Sequence, residues 1–276
     1  MKARAFFPKS EDAIMRLRML DSLTRRTALA AWLLAGLAPS QVSLAQTDSL
    51  VLEVRVDKER YVLGEAVALT FRLINRSTST VTLASAPDVK NGRLGVLIAY
   101  EGGDFKGYLG PGWGIRDAVS REPFRLLPGG SFETQATILF NHVMPTGHLS
   151  PLYAKQINQD RISDEYALSA WGTYRIKAVV SNSRDGSQLE SQPLTLLVDE
   201  PYGADLEVWN VLKTDGDYGY FLQTGGPRRP LAAAKTEQIL RTLQSLSELW
   251  PTSRHLGGIR TALSNYQARP RKPASR

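Results

Sequence analysis

The sequence predicts a mainly β protein: a seven-stranded, two-sheet β-sandwich with two long insertions, followed by a small α-helical hairpin unit. Three observations carry this reading. Apolar residues alternate with a period of two in seven stretches before residue 200, clusters of turn-forming residues separate those stretches, and a helical period emerges only after Pro201.

The first stretch places Leu50, Leu52, Val54 and Val56 on one side of a strand, with Val51, Glu53 and Arg55 on the other. The run Lys58 to Glu65 turns the chain, and Val67, Leu69, Phe71 and Leu73 form the second strand, ending at Asn75. Val81 and Leu83 make a short third. Leu94, Val96, Ile98 and Tyr100 make the fourth, and Phe132, Thr134, Ala136, Ile138 and Phe140 the fifth. Tyr174, Ile176, Ala178 and Val180 supply the sixth, and Leu194, Leu196 and Val198 the seventh. The insertions cover residues 101–123, rich in glycine and aromatics, and 141–170, which carries His142, His148, Tyr153, Asp160, Asp164 and Glu165 with Trp171 at its far edge. Loops longer than about 12–15 residues within a domain are commonly functional or disordered, and the aromatic content argues for order.

After Pro201 the period changes. Leu206, Trp209 and Leu212 recur at helical spacing over 204–212, and Asp215-Gly216 reads as a stop. Ile239, Leu243, Leu246 and Trp250 stripe a helix over 231–250 that Pro251 ends. Ser253 is the expected N-cap of a last helix striped by Leu256, Ile259, Leu263 and Tyr266. So short a connection implies an antiparallel hairpin.

The N-terminus reads as a targeting segment. A charged region precedes the apolar run Ala28 to Ala38, which is too short for a membrane span of about 20 residues but suits a signal sequence. Ser43 and Ala45 stand at the −3 and −1 positions of a cleavage site, so the mature chain is expected to begin at Gln46. Thr24-Arg-Arg-Thr-Ala-Leu29 resembles a twin-arginine signal without the usual Phe and Lys, leaving the general secretory and twin-arginine routes both open. Met15 and Met19 are alternative starts. The expected organisation is a signal peptide with a long n-region over 1–45, the sandwich over 46–200, the helical unit over 201–268 and a basic flexible tail over 269–276. No membrane span is expected to remain after cleavage.

Some of these residues resemble a known family. Tyr61-Val-Leu-Gly-Glu-Ala-Val67, running into an alternating strand that ends in Asn75, is similar to the second strand of bacterial immunoglobulin-like domains. Leu127-Pro-Gly-Gly130 and Gly172-Thr-Tyr174 fit the same pattern, with Gly130 where the family has Glu and Trp171 where it has Pro. The resemblance covers about residues 49–199. It implies an immunoglobulin-like sandwich with Tyr174 as a tyrosine corner, in a group that includes macroglobulin-type repeats, adhesion modules and intracellular proteinase inhibitors. Trp250-Pro-x-Ser and Tyr266 resemble the seam of a tetratricopeptide-type helix pair, though no repeat recurs along the chain.

Composition narrows the function. The formal charge is +7, yet residues 1–45 hold seven Lys/Arg against three acids and residues 251–276 hold six against none. The stretch between them is mildly acidic, with 21 basic and 24 acidic residues, and offers no basic surface for nucleic acid. Absence of cysteine excludes disulfides, thiolate metal sites and cysteine nucleophiles. No Gly-x-Ser-x-Gly or His-Glu-x-x-His run occurs, so no catalytic, cofactor or metal residues are assigned. His142, His148, Asp160, Asp164 and Glu165 are the best candidate metal ligands but have no spacing that fixes a site. The candidate binding residues are Phe105, Lys106, Tyr108, Trp113, Tyr153 and Trp171, with core packing as their alternative role. These features point to an exported, non-catalytic binding or adaptor module with a protein partner in the cell envelope. The alternatives are a protease inhibitor using the loop Gly102 to Gly114 around Lys106, or a carbohydrate-binding or metal-dependent site in the insertions.

Overall fold

The computed structural model describes residues 43–46, 50–111, 122–142, 165–181, 188–228 and 231–269. Its strands are, in chain order, β1 (Ser43–Gln46), β2 (Leu50–Val56), β3 (Arg60–Val62), β4 (Val67–Asn75), β5 (Val81–Leu83) and β6 (Leu94–Tyr100). There follow β7 (Lys106–Tyr108), β8 (Phe124–Leu126), β9 (Ser131–Ile138), β10 (Gly172–Ser181), β11 (Gln188–Glu190) and β12 (Leu194–Asp199). Four helices come last: α1 (Ala204–Leu212), α2 (Gly216–Thr224), α3 (Ala233–Leu249) and α4 (Leu256–Ala268).

β1, β2, β4 and β9 make an antiparallel sheet in that order. A six-stranded sheet runs β3-β12-β10-β6-β7, with β11 added to β10, and its β3–β12 pair is parallel. β5 and β8 pair separately. The expected fold class, a mainly β seven-stranded immunoglobulin-like sandwich with a small helical hairpin, is therefore overturned. The described fold is mixed α/β, with twelve strands in three sheets and four helices.

All seven alternating stretches form strands, and the other five strands are short, β1 with four residues and β3, β7, β8 and β11 with three each, so their sequences carry little or no period. The pairing of β3 and β8 is set by neighbours distant in sequence. The helices were undercounted because Asp215-Gly216 starts α2 rather than ending a helix: the Asp215 carboxylate accepts a 2.9 Å hydrogen bond from Asp217 N–H as its N-cap. The N-cap position of α4 falls at His255, two residues after the expected Ser253, whose hydroxyl accepts from His255 N–H at 3.3 Å while donating to Asp205 at 2.9 Å. The buried face of α1 is Asp205, Val208, Trp209 and Leu212, leaving Leu206 outside it.

The helices share one core with the sheets. One continuous cluster of buried side chains includes Leu52, Phe71, Ile176 and Leu196 of the strands with Val208, Phe221, Ile239 and Ile259 of the helices. Three rings tie the layers together. Phe140 meets Tyr166 edge-on at 5.6 Å, Tyr166 meets Trp209 at 4.8 Å, and the Tyr166 hydroxyl donates to the Leu212 carbonyl at the end of α1. Gly219 of α2 lies against the Phe140 ring, where a Cβ would collide with it.

Two sequence motifs have clear local roles. Asn75 is fully buried; its amide donates to the carbonyls of Ser79, Leu126 and Leu127 at 2.8, 2.9 and 3.1 Å, so one side chain closes two turns. The Tyr174 hydroxyl donates to the Ala170 carbonyl at 2.9 Å and accepts from Ala170 N–H at 3.1 Å. Tyr174→Phe is expected to cost about 1–2 kcal/mol by equilibrium denaturation, because both backbone groups lose their partner. Tyr100→Phe should cost far less, since the more exposed Tyr100 hydroxyl makes one bond, to the Trp171 carbonyl at 3.0 Å.

Candidate functional site

The six candidate binding residues do not form one site. Phe105 lies on the outer face of the six-stranded sheet against Leu97 and Val179, with the Lys177 ammonium 4.7 Å and the Arg175 guanidinium 5.1 Å from its ring. Lys106 is held in β7 opposite Ile98 rather than on a protruding loop. Tyr108 points into the core: its buried hydroxyl accepts from Leu139 N–H at 3.2 Å and has the Phe140 carbonyl and Gln223 Oε1, each at 3.1 Å, as the acceptors for its one proton. Burial pushes its pKa well above the usual tyrosine range. Trp171 is 58% exposed beside Tyr100, at the start of β10. Trp113 and Tyr153 lie outside the described residues, as do His148, Asp160 and Asp164. His142 meets Tyr220 edge-on at 5.3 Å, while Glu165 is exposed. Among the described residues no three His, Asp or Glu side chains converge as metal ligands, and no helix is long and apolar enough to cross a membrane.

What the tertiary structure does assemble is a groove lined by both polar and apolar groups. A cavity of about 420 Å³ opens between the outer face of the four-stranded sheet and the first turns of α4. Ala68 and Thr137 line its sheet side, with Gly257, Gly258, Thr261 and Asn265 on the helix side. A second hollow of about 470 Å³ over Arg55, Thr70, Glu133 and Gln135 shares Asp57, Ala68 and Thr137 with it. The groove follows from local sequence. Alternation in β4 and β9 sends the apolar residues inward and Ala68, Thr70, Glu133, Gln135 and Thr137 outward. Small Ala68 leaves a hollow among longer neighbours.

Its end wall is held by a partly exposed ionic network centred on the buried Asp205. The Asp205 carboxylate accepts from Ser253 Oγ at 2.9 Å, Arg254 N–H at 2.7 Å and Arg254 Nε at 3.3 Å. Arg254 also reaches Asp199 at 3.4 Å, and Arg60 donates to the other Asp199 oxygen at 2.6 Å. The Arg60 guanidinium, aided by Arg254, holds the Asp199 carboxyl below the ordinary carboxylate range. This network pins the turn before α4 to the ends of β12 and α1. Within that turn His255 is 4% exposed, and its Nε2 is buried without a partner at hydrogen-bonding geometry. Desolvation lowers its pKa to about 4, against the opposing pull of Asp205 and of the Gly64 and Asp205 carbonyls.

The opposite wall is the turn between β3 and β4. Gly64 sits there with φ of 79°, and a Cβ on it would overlap the Trp209 ring. Glu65 folds back to accept from Val62 N–H at 2.9 Å and pairs with Lys58. Tyr61 is fully buried and donates its hydroxyl to Asp57 at 2.5 Å. Gln223 closes the side wall, donating to the Thr137 carbonyl at 2.6 Å. Sequence reading missed the groove because its residues come from segments far apart in the chain. The one local signal was the Gly257-Gly258 pair opening an otherwise regular helix.

No known family's sequence profile matches the chain, and no curated protein matches it. Among solved structures it is similar to the alkylpurine DNA glycosylase AlkC of Pseudomonas fluorescens, with 14% identity and a TM-score of 0.28, over 56% of this chain and 31% of that one. It is also similar to a β-glucosidase from Listeria innocua, with 10% identity and a TM-score of 0.27, over 57% of this chain and 17% of that one. A third likeness is to the C-terminal domain of wzt, with 10% identity and a TM-score of 0.33, over 60% of this chain and 83% of that domain. The chain thus spans less than a third of the glycosylase and less than a fifth of the glucosidase. At such TM-scores these likenesses carry no argument about fold or activity.

Proposed function

We propose that the protein is an exported, non-catalytic binding or adaptor module of the cell envelope. It takes a polar segment of a protein partner into the groove between the outer face of β2, β4 and β9 and the first turn of α4. The observation that supports this reading is the Gly257-Gly258 pair. Gly64, Gly172 and Gly225 combine a positive φ with a neighbour where a Cβ would stand, and Gly219 has Phe140 there. Gly257 and Gly258 have neither reason. Their φ values are ordinary, nothing lies within 4 Å of a Cβ on Gly257, and one on Gly258 would meet only the Ala66 Cβ at 4.0 Å. Glycine within a helix costs about 0.5–1 kcal/mol relative to alanine. The absence of side chains at these two positions keeps the groove mouth open. Thr137, Thr261 and Asn265 along it supply hydrogen-bonding groups suited to a peptide.

The test replaces Gly258 with phenylalanine. Its bulk enters open space, so the thermal midpoint should hold or rise. A partner crosslinked in cells by the wild-type chain should no longer be recovered. Recovery of the same partner by a folded Gly258→Phe protein would sink the groove reading. Gly257→Ala is expected to add about 0.5 kcal/mol, a rise of about 1–2 °C in melting temperature. A cut after residue 200 is no substitute, because it strips Val208, Phe221, Ile239 and Ile259 from the shared core.

A further inference from the structure

We propose that the outer edge of β2 is a strand-acceptor site, closed in the full-length chain by residues 43–46 and opened by processing to an extended segment of a partner protein. The inference goes beyond the groove. For its setting it rests on the proposed export, with cleavage after Ala45.

The structure seats an occupant on this edge. β1 pairs antiparallel with β2, with Ser43 opposite Val54, Leu44 opposite Glu53, Ala45 opposite Leu52 and Gln46 opposite Val51. The direction of the β2 main-chain groups follows from the ladder. Asn75 N–H donates to the Gly130 carbonyl and the Asn75 carbonyl accepts from Gly129 N–H, both at 2.9 Å, so Asn75 faces away from β2. Antiparallel alternation then turns Ile74, Arg72 and Thr70 toward β2, where Val51, Glu53 and Arg55 stand opposite them. Leu52 and Val54 therefore direct their N–H and C=O groups to the other side, at Ala45 and Ser43.

The expected cleavage point, between Ala45 and Gln46, falls inside β1. Cutting there removes both residues that face Leu52 and Val54 and leaves four main-chain groups on an open edge. β2, Leu-Val-Leu-Glu-Val-Arg-Val, contains no proline or lysine, and its two charges, Glu53 and Arg55, pair with each other. Leu52 and Val54 of β2, with the strands and helices they pack among, remain in the processed chain. The processed chain thus keeps its core and gains a template for strand addition.

The seated segment also specifies the chemistry of the partner. Directly opposed residues of an antiparallel pair share a face. Ser43 and Ala45 therefore stand on the face that Val54 and Leu52 bury at 0% and 1% exposure. Both are small. The partner is an extended strand, antiparallel to β2, with small residues at two alternate positions. It competes with the leader for one edge, so the unprocessed chain is closed to it.

The test compares full-length protein with chain 46–276, using a synthetic peptide of residues 40–47 as the probe. The peptide should bind 46–276 saturably and not the full-length chain. Amides of Leu52 and Val54 should exchange at least ten-fold faster in 46–276 and slow again with peptide. An Ala45→Trp peptide should bind at least ten-fold more weakly. Equal protection of both amides in the two lengths, with no peptide binding, overturns the proposal. So does a concentration-dependent dimer of 46–276 that the peptide fails to displace, which would assign the edge to a second copy. If the truncated chain does not fold, full-length Ala45→Pro removes the donor facing Leu52, and it must then bind peptide for the proposal to stand. N-terminal sequencing of the protein recovered from cells reads the export premise separately. A first residue of Gln46 supports the opening, and an N-terminus upstream of Ser43 overturns it in the cell even where the peptide binds in vitro.

Discussion

Replacing Gly64 with alanine is expected to destabilise the protein by about 2–5 kcal/mol, a large share of the stability of an ordinary domain. Two costs add. An L-residue in the left-handed region costs about 1–2 kcal/mol, and Gly64 has φ of 79°. The new methyl also lands inside the Trp209 ring, which is 8% exposed and packed on Tyr166, and overpacking of this kind costs about 1–3 kcal/mol. Gly129→Ala is the control: its φ is 70°, but nothing lies within 4 Å of a Cβ there, so only the backbone cost of about 1–2 kcal/mol should remain. Urea denaturation of both variants separates the two costs. Equal losses would mean that Trp209 yields freely and that the turn beside the groove is not held by this contact. In a Gly64→Ala, Trp209→Leu double variant the losses should be less than additive, since the smaller side chain leaves room for the methyl.

Stability should also fall by about 3 kcal/mol as pH drops from 6.5 to 4, through His255 alone. Its folded pKa is about 4 against an ordinary 6.5, because the ring is buried and desolvation penalises the charged form. Between those values the unfolded chain takes up a proton that the folded chain refuses. Stability is therefore complete above pH 6.5, declines through the window, and stops responding to this group below about pH 4. Denaturant titrations at half-unit steps of pH give the slope directly. His255→Leu should flatten the curve in this window, whatever it does to stability at neutral pH. A wild-type curve already flat between pH 6.5 and 4 would place the His255 ring in contact with water, and the end wall of the groove would have to be looser than the Asp205–Arg254 network implies.

Much of this protein can be read from sequence because its signals are local. The seven alternating stretches, the stripes of α3 and α4, the turn at Gly129 and the Tyr174 hydroxyl bond each depend on residues near one another in the chain. Burial with a period of two or 3.6 leaves a mark in composition that needs no knowledge of the partner element. The acidic balance of residues 46–250 and the absence of cysteine likewise follow from counting alone.

Tertiary structure alone decided the rest. The parallel pairing of β3 with β12 joins residues 60–62 to 197–199, and three-residue strands have no period to betray them. The Asp215-Gly216 pair carries the same letters whether it ends a helix or caps one, and only the Asp217 amide chooses between them. Phe105 and Tyr108, three residues apart in one segment, lie on opposite faces because the chain joins the six-stranded sheet there as β7, with Tyr108 in the core and Phe105 packed outside against Leu97 and Val179. The groove needs Ala68, Thr137 and Gly258 in one place, and closing such distances is the work of the shared core rather than of any local preference. Periodic burial is written along the chain; register, parallel pairing and the meeting of distant side chains are set by which surfaces fit, a property of the folded whole.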